Sequence, residues 1–113
     1  MTTSMDSGIQ VIEPTGILDS TKGEEFRQQV DQALDNGASV ILIDLKSINF
    51  VDSSGLGALV SVLKKVRAAE RRMYVCSMND QVRMLFELTS MDRVFQIFED
   101  RQVFEQQVLE PQR

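Results

Sequence analysis

The chain of 113 residues has no histidine, no tryptophan, a single cysteine and two prolines. Without histidine, neither a Ser-His-Asp nor a Cys-His catalytic arrangement can be assembled, and no His-bearing zinc site can form. Cys76 alone cannot close an internal disulfide. It lies in the apolar stretch from Met73 to Met78 and reads as a small buried hydrophobe in a strand, which suits a reducing compartment. Neither a Gly-x-x-x-x-Gly-Lys phosphate loop nor a Gly-x-Gly-x-x-Gly fingerprint is present. An active site made only of carboxylates is compatible with these residue types, but no acidic pair stands out. The expectation is therefore a protein that is not an enzyme, with no catalytic residue, metal or cofactor. Basic stripes are lacking too. The net charge is −5, which argues against a nucleic-acid partner. The local basic run Lys64, Lys65, Arg67, Arg71 and Arg72 lies in and just after one helix pattern and reads as a solvated face. No apolar run approaches the ~20 residues of a bilayer span, so no direct membrane insertion is expected. Met1 to Gly8 holds neither a basic residue nor an apolar run and does not read as a signal peptide. The chain is expected to be cytoplasmic.

What is present points to one α/β domain. Apolar residues make up 42% of the chain, enough for a core. A single domain over 1–113 is expected, with 1–8 and 110–113 flexible. Ile9 to Glu13 alternates apolar and polar residues and reads as a strand. Pro14-Thr15-Gly16 is a turn signal, and Ile17-Leu18 a short second strand. Ser20 and Thr21 are cap candidates for a first helix whose stripe is Phe26, Val30, Ala33 and Leu34, closed by Asn36-Gly37. Val40 to Leu45 is nearly all apolar, as in a strand buried on both faces, with Asp44 the exception. Ile48, Phe50 and Val51 continue that segment. A second helix pattern begins at about Gly55, with Leu56, Leu59, Val60, Leu63 and Val66 on one face. Met73 to Cys76 is a further strand. Ser77, Asn79 and Asp80 open a third helix, with Val82, Leu85, Phe86 and Thr89 along one side. Phe95 to Phe98 is a short strand, and Asp100 caps a last helix through Val103, Phe104 and Val108. The six methionines read as core filler, with Met84 and Met91 candidates for an exposed face.

Strands alternating with helices imply parallel pairing and right-handed crossovers. The first two strands, joined by the Pro-Gly turn, are free to pair antiparallel, which gives a mixed, mostly parallel sheet packed with about four helices. The ends of parallel strands share one edge of such a sheet. Asp19, Asp52 with Ser53, and Ser77 to Asp80 all follow strands and are expected to gather there. The corner Asp52-Ser53-Ser54-Gly55 sets a hydroxyl pair where unpaired helical N–H groups and the helix dipole favour negative charge. From the local residues alone Ser53 and Ser54 are helix caps, Ser54 the better placed. Asp52 is either part of the cap or a partner contact, and Asp19 either a turn residue or a contact. Gly55 and Gly57 suggest a close approach of backbone, to the sheet or to a docking partner.

The run from Ile48 to Leu59, centred on Asp52-Ser53-Ser54-Gly55-Leu56-Gly57, resembles the STAS family of bacterial anti-sigma factor antagonists. The strand pattern before it, Gly16-Ile17-Leu18-Asp19 and Val82 to Leu88 extend the resemblance over nearly the whole chain. It implies a STAS-like fold and a binding module of a partner-switching system. In that system the unmodified protein holds an anti-sigma factor that is also a serine kinase, and so frees a sigma factor. The kinase phosphorylates the serine matching Ser53, and a PP2C-type phosphatase removes the phosphate. The implied partner-binding set is Asp19, Ser20, Thr21, Asp52, Ser53, Ser54, Gly55 and Asn79. Two stretches depart from the family pattern: Ile17 stands where Glu is common, and Lys22-Gly23 near where Thr-Ala is common.

Two other functions compete. One is a STAS scaffold or accessory module of a transporter or signalling complex. The other is a small nucleotide-binding protein using the same edge, against which stands the lack of any basic residue from Asp52 to Leu59.

Overall fold

The computed structural model describes residues 8–109. In chain order its elements are β1 (Ile9–Ile12), β2 (Gly16–Leu18), α1 (Ser20–Asp35), β3 (Val40–Asp44), β4 (Ile48–Val51), α2 (Ser53–Ala68), β5 (Arg72–Cys76), α3 (Asp80–Leu88), β6 (Ile97–Phe98) and α4 (Arg101–Phe104). A 3-10 turn, Met91–Arg93, leads towards β6, and a wider helical turn, Glu105–Leu109, continues α4. The expectations for 1–7 and 110–113 fall outside the described residues.

Val40 to Asp44 forms the centre, as its apolar run requires. Ile41, Leu42 and Ile43 are fully buried. Successive side chains of a strand point to opposite faces, so β3 feeds two cores. Ile41 and Ile43 join a large one with Phe26, Val30 and Ala33 of α1, Leu59, Leu63 and Val66 of α2, and Val82 and Phe86 of α3. Leu42 joins a smaller one on the other face with Tyr74, Cys76 and Phe104. There the Tyr74 ring is 5.4 Å from that of Phe104 and 5.7 Å from that of Phe98.

The strand order is β1-β3-β5-β6 in one sheet, and β2-β4 in a separate ladder. The α/β class with a mostly parallel sheet and four helices is as expected, but the pairing of the first two strands is not. β1 pairs with β3 and β2 with β4, each in parallel. The Pro14-Thr15-Gly16 stretch carries the chain into a second ladder and does not fold β2 back on β1. Gly16 takes a φ of 81°, a region that a glycine enters freely. The β3–β4 segment is likewise two strands, because a turn closed by the Ile48 N–H on the Leu45 carbonyl (3.0 Å) interrupts it.

Leu59 has no exposed surface and sits mid-helix against the sheet. Leu59→Ala is expected to cost about 2–5 kcal/mol of stability, the range for emptying a buried leucine site. Urea denaturation checks this; an unchanged midpoint would mean that α2 does not pack as described.

Candidate functional site

The site is built by the β2–β4 ladder. Leu18 stands opposite Val51, and the Asp52 N–H donates to the Leu18 carbonyl at 3.2 Å. The next residue of each strand is an aspartate, so Asp19 and Asp52 lie side by side. Each caps the helix that follows. Asp19 Oδ1 accepts the Lys22 N–H at 3.1 Å, and Asp52 Oδ1 accepts the Gly55 N–H at 2.8 Å. The N-termini of α1 and α2 therefore open at one corner.

Of the two readings left open for Asp52, the structure supports its place in the cap, whereas the serine and threonine caps are not formed. Asp52, not Ser54 or Ser53, caps α2, and the helix begins at Ser53 instead of near Gly55. Asp19, not Ser20 or Thr21, caps α1. The apolar stripe marks where a helix meets the core, and its first turn precedes that point, so a boundary drawn from the stripe falls late. Ser53 and Ser54 are thereby released from capping. Both are exposed, and among the described residues neither hydroxyl makes a hydrogen bond. Their backbone N–H groups belong to the unpaired first turn. Ser20 and Thr21 are the exposed first residues of α1, at the same corner.

The two glycines have different roles. A Cβ on Gly55 would lie 2.0 Å from the Leu18 carbonyl oxygen and 2.7 Å from its carbon. Only glycine lets the first turn of α2 sit this close to the end of β2. Gly57 has nothing within 4 Å of such a Cβ. The close approach is to the neighbouring ladder at Gly55, and Gly57 faces open space.

Asn79 is set apart from the corner. Its Oδ1 caps α3 through the Val82 N–H at 2.8 Å, and its Nδ2 donates to the Ile48 and Asn49 carbonyls at 3.2 and 3.1 Å. These carbonyls are at the start of β4, three or more residues before Asp52, about 10 Å along an extended chain. Asn79 ties α3 to β4. The edge forms in two steps because the β2–β4 ladder is separate from the sheet that contains β5.

Sequence reasoning missed the apolar surface beside the serines. Ile17 and Phe50 are cross-strand partners, 50% and 45% exposed. Such a pair is invisible when apolar residues in strands are taken as core; the departure of Ile17 from the family pattern was the available signal. On α3, Met84 and Leu88 are exposed one turn apart. Met91 instead packs against the core. The pairing of Asp44 was missed as well. This carboxylate is buried and accepts the Arg101 Nη2 and the Lys46 N–H, both at 3.1 Å, which anchors α4 to β3. Burial pushes the adjacent Cys76 thiol up to about 11, so it stays protonated and inert at neutral pH.

The corner is a surface, not a pocket. Cavities of about 540 Å³ and 170 Å³ lie elsewhere, and no corner residue lines either. Two exposed hydroxyls stand at a helix start beside two carboxylates, each of which accepts a backbone N–H through its Oδ1. Nothing in that arrangement activates a serine as a nucleophile. It can present a neutral hydroxyl to another protein's active site.

The comparisons with known proteins agree with this geometry. The STAS domain family model matches residues 2–103. The anti-sigma F factor antagonist of Paenibacillus polymyxa is 28% identical over 94 residues, 82% of this chain and 80% of that one. Among solved structures, a Thermotoga maritima protein described as a candidate anti-sigma factor antagonist superposes with a TM-score of 0.85 at 22% identity, over 96% of this chain and 93% of that one. The Bacillus cell fate determinant SpoIIAA in its phosphorylated form superposes with a TM-score of 0.65 at 21% identity, over 88% and 90%. A matching domain model over nine-tenths of the length, on a parallel sheet ending in the Asp19–Asp52 corner, leaves one assignment: the chain belongs to the STAS domain family.

Proposed function

We propose that this chain is an anti-sigma factor antagonist of a partner-switching system. In its unmodified form it binds an anti-sigma factor that is also a serine kinase. Phosphorylation of Ser53 releases that partner, and a PP2C-type phosphatase resets the switch. The observation that carries this reading is the state of Ser53: an exposed, unbonded hydroxyl on the first residue of α2, directly after a capping aspartate. Added charge is tolerated there by the helix dipole. The names of the relatives and the solved phosphorylated form of SpoIIAA support it. The contact surface would include Asp19, Ser20, Thr21, Asp52, Ser53, Ser54 and the exposed Ile17–Phe50 pair. Asn79 enters only by positioning α3.

Incubated with its kinase and ATP, the chain is expected to gain a single phosphate, which tandem mass spectrometry places on Ser53. A phosphate on Ser54, Ser47 or Ser77, or none at all, would overturn the assignment.

A further inference from the structure

The basic run at the far end of α2 does not behave as one solvated face. Lys65 is engaged with Asp31. Arg67, Arg71 and Arg72 instead line a cavity of about 170 Å³, which Met73, Tyr74 and Gln96 complete. The cavity is a notch in the sheet. β6 pairs only with Val75 and Cys76, so Arg72 to Tyr74 of β5 have no strand beside them on that side.

Two of the guanidinium groups are held in place. Arg67 Nη2 donates to the Val94 carbonyl at 3.0 Å, and Arg71 Nη1 donates to the Ala38 carbonyl. Both acceptors are neutral, so they orient the cations without cancelling their charge. Among the described residues none of the three arginines forms an ion pair. The helix dipole accounts for Arg67 in the last turn of α2. It does not account for Arg71 and Arg72, which lie beyond the helix. The three arginines that line this polar notch lack a counter-charge, and the Arg67 and Arg71 forks are each tied to a carbonyl outside its lining.

We propose that this notch binds phosphate, as the free ion or as the phosphate of a small phosphomonoester. The planar fork of arginine matches phosphate oxygens bidentately, and fixed forks lose little freedom on binding. The volume is below the ~300 Å³ of ordinary drug-sized pockets and suits a small oxyanion. The notch is about 20 Å from Ser53 along α2, at 1.5 Å of rise per residue. It stands or falls independently of the phosphorylation switch.

The test is an amide chemical-shift titration of the whole chain with inorganic phosphate, with glycerol 3-phosphate, and with chloride at matched ionic strength. Saturable shifts at Arg72, Met73, Tyr74 and Gln96 are expected with phosphate and not with chloride. Saturation by phosphate alone identifies the free ion as ligand, and saturation by both identifies a site open to esters. The Arg72 side chain makes no hydrogen bond among the described residues. Arg72→Ala should therefore leave the fold intact and weaken binding roughly tenfold or more, the worth of one charged hydrogen bond. Unsaturable shifts, shifts equal in chloride, or an unchanged affinity in Arg72→Ala would overturn the proposal.

Discussion

Gly55→Ala is expected to destabilise the protein by about 3 kcal/mol or more, or to prevent folding, because overpacking that only backbone movement can relieve lies at or beyond the upper end of the 1–3 kcal/mol range. The new methyl group would lie 2.0 Å from the Leu18 carbonyl oxygen, a contact that no rotamer relieves. Either the first turn of α2 or the end of β2 must move. Both carry the corner, so partner binding should fall together with stability. Gly57→Ala is the control. It meets nothing within 4 Å and lies inside the helix, where alanine is favoured over glycine by about 1 kcal/mol. It should therefore stabilise the fold by up to that amount. Urea denaturation of the two variants reads both signs. Equal effects would mean that Gly55 is not pressed against Leu18. Loss of partner binding in Gly57→Ala at undiminished stability would place Gly57 in the docking surface.

This pair of glycines also marks where sequence reading ends. The apolar run Val40 to Leu45 and the stripes Phe26-Val30-Ala33 and Leu59-Leu63-Val66 were legible because burial on one or both faces imposes a period on the residues themselves. The parallel fold followed from their alternation. The role proposed for Ser53 was legible only through the resemblance, since a serine near a helix start has the same local signature when it is a cap. The cap of α1 and the start of α2 were misread for a geometric reason. Asp52 precedes its apolar stripe at Leu56 by about one turn and Asp19 precedes Phe26 by about two, and a stripe reports the core contact, not the first N–H groups. The Leu45–Ile48 turn carries neither proline nor glycine, so β3 and β4 read as one segment. That hid the second ladder, and with it the displacement of Asn79 from the corner. The Asp44–Arg101 contact spans 57 residues of sequence and has no periodic signal. Ile17 and Phe50 read only as strand residues, because a short ladder covered on one face has the same composition as a buried strand.

Phosphorylation of Ser53 is expected to weaken binding of the anti-sigma factor kinase by about 100-fold or more while leaving the fold in place. The modification adds roughly −1.5 to −2 charges at neutral pH. Within the chain this charge meets opposing influences. The unpaired N–H groups and dipole of α2 favour it, by about 0.3–1 kcal/mol for an exposed group. The adjacent Asp52 and Asp19 carboxylates oppose it. With Ser53 exposed to water the balance is small, so the denaturation midpoint should barely change. At an interface the balance differs. A partner surface shaped for a neutral hydroxyl must bury a dianion beside two carboxylates, and an uncompensated buried charge costs about 3–5 kcal/mol. The lower end of that range already corresponds to a hundredfold change in affinity, at about 1.4 kcal/mol per factor of ten. Ser53→Ala cannot be phosphorylated and keeps a small neutral side chain, so it should hold the partner within about tenfold of the unmodified chain, since it forfeits at most one neutral hydrogen bond of about 1 kcal/mol. Ser53→Asp adds only about one charge and should fall between the two. Calorimetric titration of the three forms against the kinase orders them. If Ser53→Asp binds like the unmodified chain while the phosphorylated form does not, the size and shape of the phosphate, not its charge, drive release. If the phosphorylated form binds as tightly as the unmodified one, Ser53 is not the switch.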